Sequence, residues 1–256
     1  MSRDLIRFAA LGDSASCGVG DPTPDGWRGW AQLLAEAIGQ EHPVSFCKLA
    51  VAGATVADVR RAQLADAVAH QPRVASLVVG LNDAMRASWD PAGIREDLLE
   101  CAAALEAQGA LLVTVQFHDH TKVLGLPGLL ARPMRARIGE LNAIYAEVHE
   151  RHGVLQLDLR ADPLIQAREM WAFDRLHPSE LGHRMLARRV GELLNAEGLR
   201  FPLPLAACTT APSTRRERAR TLVVDVAPWL GRRVRDLAPW AARETARRTR
   251  VALHAA

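Results

Sequence analysis

The chain has 256 residues, 49% hydrophobic and 24% charged, with a formal net charge of +3. That length and balance exclude a disordered chain and supply the apolar surface for one sizeable core. Four scattered cysteines (Cys17, Cys47, Cys101 and Cys208) form no CxxC pair, which argues against a disulfide framework or a zinc site and for a reducing compartment. The opening MSRDLIRFAALGDS has none of the parts of a secretory signal, and no apolar run reaches about 18 residues, so a cytoplasmic, non-spanning protein is expected. The charge is uneven. Residues 201–256 hold 11 arginines against 4 acids, a net +7, leaving −4 for the first 200 residues. The basic character therefore belongs to the tail and does not mark the whole chain as a nucleic-acid binder.

Five apolar runs appear in order: Ile6 to Leu11, Val44 to Val51, Val74 to Leu81, Ala110 to Phe117 and Val154 to Leu159. Most are nearly continuous in apolar residues, the pattern of strands buried on both faces. Helical spacing fills the intervals. Trp30, Leu33, Leu34, Ala37 and Ile38 make one stripe, and Ile138, Leu141, Tyr145 and Val148 another. Gly39, Gly109 and Gly153 follow such segments where left-handed caps are wanted, and Ser179 is placed to cap a last helix. Strand then helix, repeated, predicts an α/β sandwich around a parallel sheet, whose ligands bind at the carboxyl ends of the strands. Gly12-Asp13-Ser14, Ala52-Gly53-Ala54, Leu81-Asn82-Asp83, His118-Asp119-His120 and Asp174-Arg175-Leu176-His177 all fall at or beyond such ends.

The stretch ALGDSASCGVGDP contains neither GxxxxGK[ST] nor GxGxxG, so a nucleotide loop is disfavoured. Cys17 reads as a small, inert residue. Ser14 reads better as a nucleophile, because a serine needs a base, an acid to orient that base, and oxyanion donors. His177 can take the proton, Asp174 lies three residues before it, and Gly53, Asn82 and the Ser14 N–H are suitable donors. Taken singly, each has a bland alternative: a helix cap, a tight turn, a surface pair. Asp13 reads as a structural acid.

Gly12-Asp13-Ser14 with Gly18, then Gly53, then Gly80-Leu81-Asn82-Asp83, then Asp174-Arg175-Leu176-His177 resemble the four motif blocks of the SGNH or GDSL hydrolases, over roughly residues 5 to 196. The resemblance implies Ser14 as nucleophile, His177 as base, Asp174 as its acid, and Ser14, Gly53 and Asn82 as the oxyanion hole. It also implies a flavodoxin-like three-layer α/β/α fold with a five-stranded parallel sheet and no metal or organic cofactor. The substrate expected is a small acyl ester or thioester, with acyl transfer to another alcohol or amine as the alternative outcome. The GDSL form is broken at Ala15, a position that varies in the family.

Other features carry less. His118-Asp119-His120 is not by itself a coordination shell and suits a substrate-facing or solvent-exposed loop. His183 reads as a packing or surface residue, and Trp27, Trp30 and Trp171 as core or rim. A hydrolase domain over 1–200 is then expected to give way to a proline-containing linker and a basic amphipathic helix. In that tail Val223, Val226, Leu230, Val234 and Leu237 share a face. Residues 222–250 could dock on an anionic membrane or a protein partner, the alternative in which the chain is a binding or scaffold protein working through this helix, or pack back on the domain, which is the favoured reading.

Overall fold

The structure is a computed structural model that describes residues 4–208. The helix expected over 222–250 lies outside those residues. Strands β1 (Ile6–Gly12), β2 (Val44–Lys48), β3 (Val74–Val78), β4 (Leu111–Gln116) and β5 (Leu155–Asp158) form one parallel sheet in the order β2-β1-β3-β4-β5. Its registers include Phe8 against Phe46, Phe8 against Val74, Val74 against Leu111 and Val113 against Leu155. The three inner strands are buried almost throughout. The two edge strands read like them in sequence but are half-exposed, because neighbours cover them on one side only. A two-residue ladder, Pro22–Thr23 against Gly26–Trp27, sits apart from the sheet.

The helices are α1 (Ser14–Cys17), α2 (Gly29–Gly39), α3 (Val56–Ala62), α4 (Leu64–Ala69), α5 (Leu81–Ala84), α6 (Pro91–Glu106), α7 (His120–Leu124), α8 (Gly128–His152) and α9 (Glu180–Ala196). They pack as two groups, α2 with α9, and α3, α4 and α8 around α6, as crossovers between parallel strands require. The stripe Trp30, Leu33, Leu34, Ala37, Ile38 is buried, as are Ile138, Leu141, Tyr145 and Val148. Each leucine, isoleucine or valine among them contributes about 1.5–3 kcal/mol relative to exposure. Ser179 caps α9 by accepting from Gly182 N–H, and Gly153 ends α8 in the left-handed region. Gly39 instead remains helical and Gln40 is the cap. Among the described residues no helix is long and apolar enough to cross a membrane.

The strand order reverses at β1, and in open α/β sheets such a switch point marks the carboxyl edge where ligands bind. Near those carboxyl ends, side chains from the helices and from the joint between α3 and α4 hold the strand backbone. The Gln63 amide pairs with both polar groups of Gly12, the Asn142 amide with both of Phe117, and the Tyr145 hydroxyl with both of Val79. These bonds satisfy backbone groups of the departing chain, and Gly12 O takes a second donor in Val51 N–H. A fourth pairing, Asn195 with Phe201, turns the chain after α9, and Phe201 and Leu203 then pack against Gly191.

Candidate active site

At the end of β1 the chain must turn abruptly to start α1. Gly12 has φ +141°, and a Cβ there would overlap the carbonyl oxygen of Val78. Asp13 then caps α1, accepting from the Ala15 N–H at 3.0 Å. Ser14 is the first residue of that turn, so its N–H lies outside the helical ladder. The cap reading of Gly-Asp-Ser is thus met by Asp13, which leaves the hydroxyl of the adjacent Ser14 outside the cap.

The loop after β5 brings the other partners across 163 residues. His177 Nε2 lies 3.0 Å from Ser14 Oγ, and His177 Nδ1 lies 2.6 Å from Asp174 Oδ2. The remaining oxygen of Asp174 accepts from the N–H groups of Leu176 and His177 at 2.9 and 3.1 Å. Burial acts against the Asp174 charge, but the His177 ring and these N–H groups outweigh it and hold the carboxyl below its ordinary value. An ionised Asp174 requires a proton on Nδ1, leaving the Nε2 lone pair facing Ser14.

Gly53 has φ +84°, a left-handed conformation that suits glycine, and its carbonyl accepts from Arg86 at 3.0 Å. Asn82 lies on the first turn of α5, not at a strand end, since β3 stops at Val78 and Gly80 turns the chain. Its buried Nδ2 donates to Ala54 O at 3.1 Å and to Asp13 Oδ2 at 3.3 Å. These bonds join the Ser14, Gly53 and Asn82 loops, and both amide hydrogens are engaged. Burial pushes the Asp13 carboxyl up to about 6, against the hydrogen bond from Ala15 and the charge of His177. Asp83 is pushed to about 7 in the same way, while accepting from Val56 N–H.

His118 and His120 are buried rather than exposed. Their rings meet at 2.8 Å between His118 Nε2 and His120 Nδ1, and both lie against Trp171. Burial moves His118 down to about 4 and His120 well below its usual value, so both are neutral. Asp119 turns away to Thr121 and Arg135, so the three side chains do not converge. Among the described residues no group of three or more potential metal ligands is gathered. Both histidine rings and Trp171 line an apolar cavity of about 70 Å³, together with Ala15, Leu176 and Pro178. His183 is also buried. It accepts from Trp30 N–H and binds Val19 O, and so ties α9 to the start of α2. Trp30 and Trp171 are buried, whereas Trp27 is exposed.

Gln63, which holds the backbone of Gly12 two residues before Ser14, is scarcely marked in the sequence. The only signal in its favour is a polar residue set among the buried Val56, Val59, Leu64 and Ala67.

Residues 10–185 match the sequence model of the GDSL-like Lipase/Acylhydrolase family. An acetylxylan esterase of Geobacillus stearothermophilus is 26% identical over 209 residues, covering 71% of this chain and 90% of that protein. Among solved structures, the acetylxylan esterase Axe2 of the same organism superposes with a TM-score of 0.62 at 18% identity, over 79% of this chain and 97% of that one. The psychrotrophic esterase EstA of Pseudoalteromonas sp. gives 0.60 at 13%, over 76% and 99%. These structural likenesses are likenesses of fold.

Proposed function

The chain belongs to the GDSL-like lipase/acylhydrolase family and is a carboxylic ester hydrolase, and on that premise we propose that it works through an acyl-Ser14 intermediate with Asp174, His177 and Ser14 as its triad. The observation that carries this reading is the line from Asp174 through His177 to Ser14, with 2.6 and 3.0 Å links. His177 Nε2 takes the Ser14 proton as Oγ attacks the ester carbonyl. The oxyanion is met by the N–H groups of Ser14 and Gly53 and by the Asn82 amide. The imidazolium, held by Asp174, then gives its proton to the leaving alcohol. In the second half His177 deprotonates water, which attacks the acyl-enzyme and releases acid and free Ser14.

Acetyl esters are the first substrates to try, since the Geobacillus relative at 26% identity acts on acetylxylan by its name. The same machinery serves thioesters, and an alcohol or amine in place of water makes the reaction an acyl transfer. Ser14→Ala should abolish turnover of p-nitrophenyl acetate while keeping the wild-type circular dichroism spectrum and Tm. Retained turnover refutes the assignment.

A further inference from the structure

We propose that Gln63 is a positioning residue for the reaction, one that aims both Ser14 and the Gly53 loop through the backbone of a single residue, Gly12. The inference rests on the reading of Ser14 as nucleophile. Gln63 is 2% exposed and sits at the joint between α3 and α4. Its Oε1 accepts from Gly12 N–H at 2.8 Å and its Nε2 donates to Gly12 O at 2.9 Å. The β1–β2 ladder ends at Ala10 opposite Lys48, so no strand neighbour from β2 pairs with Gly12. The glutamine amide stands in for that missing strand.

Gly12 O also accepts from Val51 N–H at 3.1 Å. One peptide is therefore the junction between the arm leading two residues on to Ser14 and the arm leading from Val51 to Gly53. Gln63 grips that junction from outside the pocket. Gly12 has no room for a side chain that could be held instead. Neither Gln63 nor Gly12 lines the apolar cavity beside Ser14, so losing the clamp is expected to leave ground-state contacts in place and to misaim the attacking oxygen. A misplacement of about 1 Å costs on the order of 10²-fold in rate.

The test uses Gln63→Met, which keeps the volume without the hydrogen bonds, and Gln63→Glu, with Ser14→Ala as reference. Reactive serines are counted by complete labelling with a fluorophosphonate, so that kcat is expressed per reactive site. For Gln63→Met, kcat per site should fall roughly 10- to 100-fold with KM within about twofold, and labelling should slow in parallel. In Gln63→Glu the ionised carboxylate still accepts from Gly12 N–H but sets its other oxygen against Gly12 O, and protonation restores the donor. Its kcat relative to wild type should therefore climb as pH falls from about 8 to about 5, whereas the Gln63→Met ratio stays flat. A packing role alone would lower Tm and the number of reactive sites, leaving kcat per site unchanged. The proposal is overturned if kcat per site in Gln63→Met stays within about twofold of wild type, or if the Gln63→Glu ratio does not move with pH. Should the Met variant not fold, the pH ratio of the Glu variant decides. Turnover surviving in Ser14→Ala would defeat the nucleophile assignment, whereas an inactive Ser14→Ala with an unimpaired Gln63→Met defeats the role of Gln63 alone.

Discussion

Replacing Asp174 by asparagine separates the acid's charge from its structural work. Asp174 Oδ1 accepts from the Leu176 and His177 N–H groups, and these need an oxygen. The asparagine carbonyl is thereby pinned to them, and its NH₂ faces His177 Nδ1. That donor selects the tautomer with the proton on Nε2, which cannot accept from Ser14. The carboxylate's attraction for the imidazolium is lost as well. With the ring nitrogen 2.6 Å from the oxygen, the two charge centres are about 4 Å apart, worth about 4 kcal/mol at an effective permittivity of about 20. This corresponds to about 10³ in rate, and the wrong tautomer adds about 1 kcal/mol, a further factor of about five. Turnover is therefore expected to slow by about 10³- to 10⁴-fold, reaching toward the loss seen for serine-protease triads, with Tm nearly unchanged. Asp174→Ala loses the charge without imposing the tautomer, so it should be the less damaged in kcat and, with two N–H groups orphaned, the less stable. Steady-state kinetics on p-nitrophenyl acetate with thermal melts checks both. An Asp174→Asn enzyme retaining a tenth of wild-type turnover, or an alanine variant slower than the asparagine one, would refute the role given to Asp174.

Two further predictions concern stability and pH. Asp83 is pushed up to about 7 by burial; the stability tied to its protonated form is complete below about pH 4 and is lost as pH rises through 7. Asp83→Asn keeps an acceptor for Val56 N–H without the charge, so its Tm advantage should be absent at pH 4 and grow toward pH 8. A constant offset across that range contradicts the argument. His183, lowered by burial to about 4, takes up fewer protons folded than unfolded between pH 4 and 6.5. Stability is therefore lost as pH falls through that window, by up to about 3 kcal/mol. His183→Gln offers the same acceptor and donor but does not titrate, so denaturant midpoints at pH 7, 5.5 and 4.5 should show a shallower acid limb than wild type; an identical limb counts against it.

The inner strands are legible in the sequence because burial on both faces demands continuous apolar runs. The edge strands carry similar runs, and nothing in Val44, Phe46 or Leu155 says that one side is open. Ser14, Asp174 and His177 are legible for the opposite reason: they are polar residues beyond strand ends, Ser14 just after β1 and the other two in the loop that follows β5, where packing has no use for them. Asn82 reads correctly as a residue of this sheet edge but falls on a different element, since Gly80 breaks β3 two residues before it. His118 and His120 look like loop residues, yet Trp171, from a loop some fifty positions later, covers both rings. Gln63 is out of reach for a related reason. Its partner is the backbone of a residue 51 positions earlier, and backbone groups leave no mark in the order of side chains.

The side-chain amides that grip departing peptides bear on how this enzyme ages. Gln63, Asn142 and Asn195 each hold a peptide through one acceptor and one donor. Deamidation turns the donor into a second acceptor and adds a negative charge opposite a carbonyl, undoing the joint without breaking the chain. Heat storage would then wear out the preparation as a chemical clock, one amide at a time, while most molecules remain folded. The joint nearest Ser14 is made by glutamine and is 2% exposed.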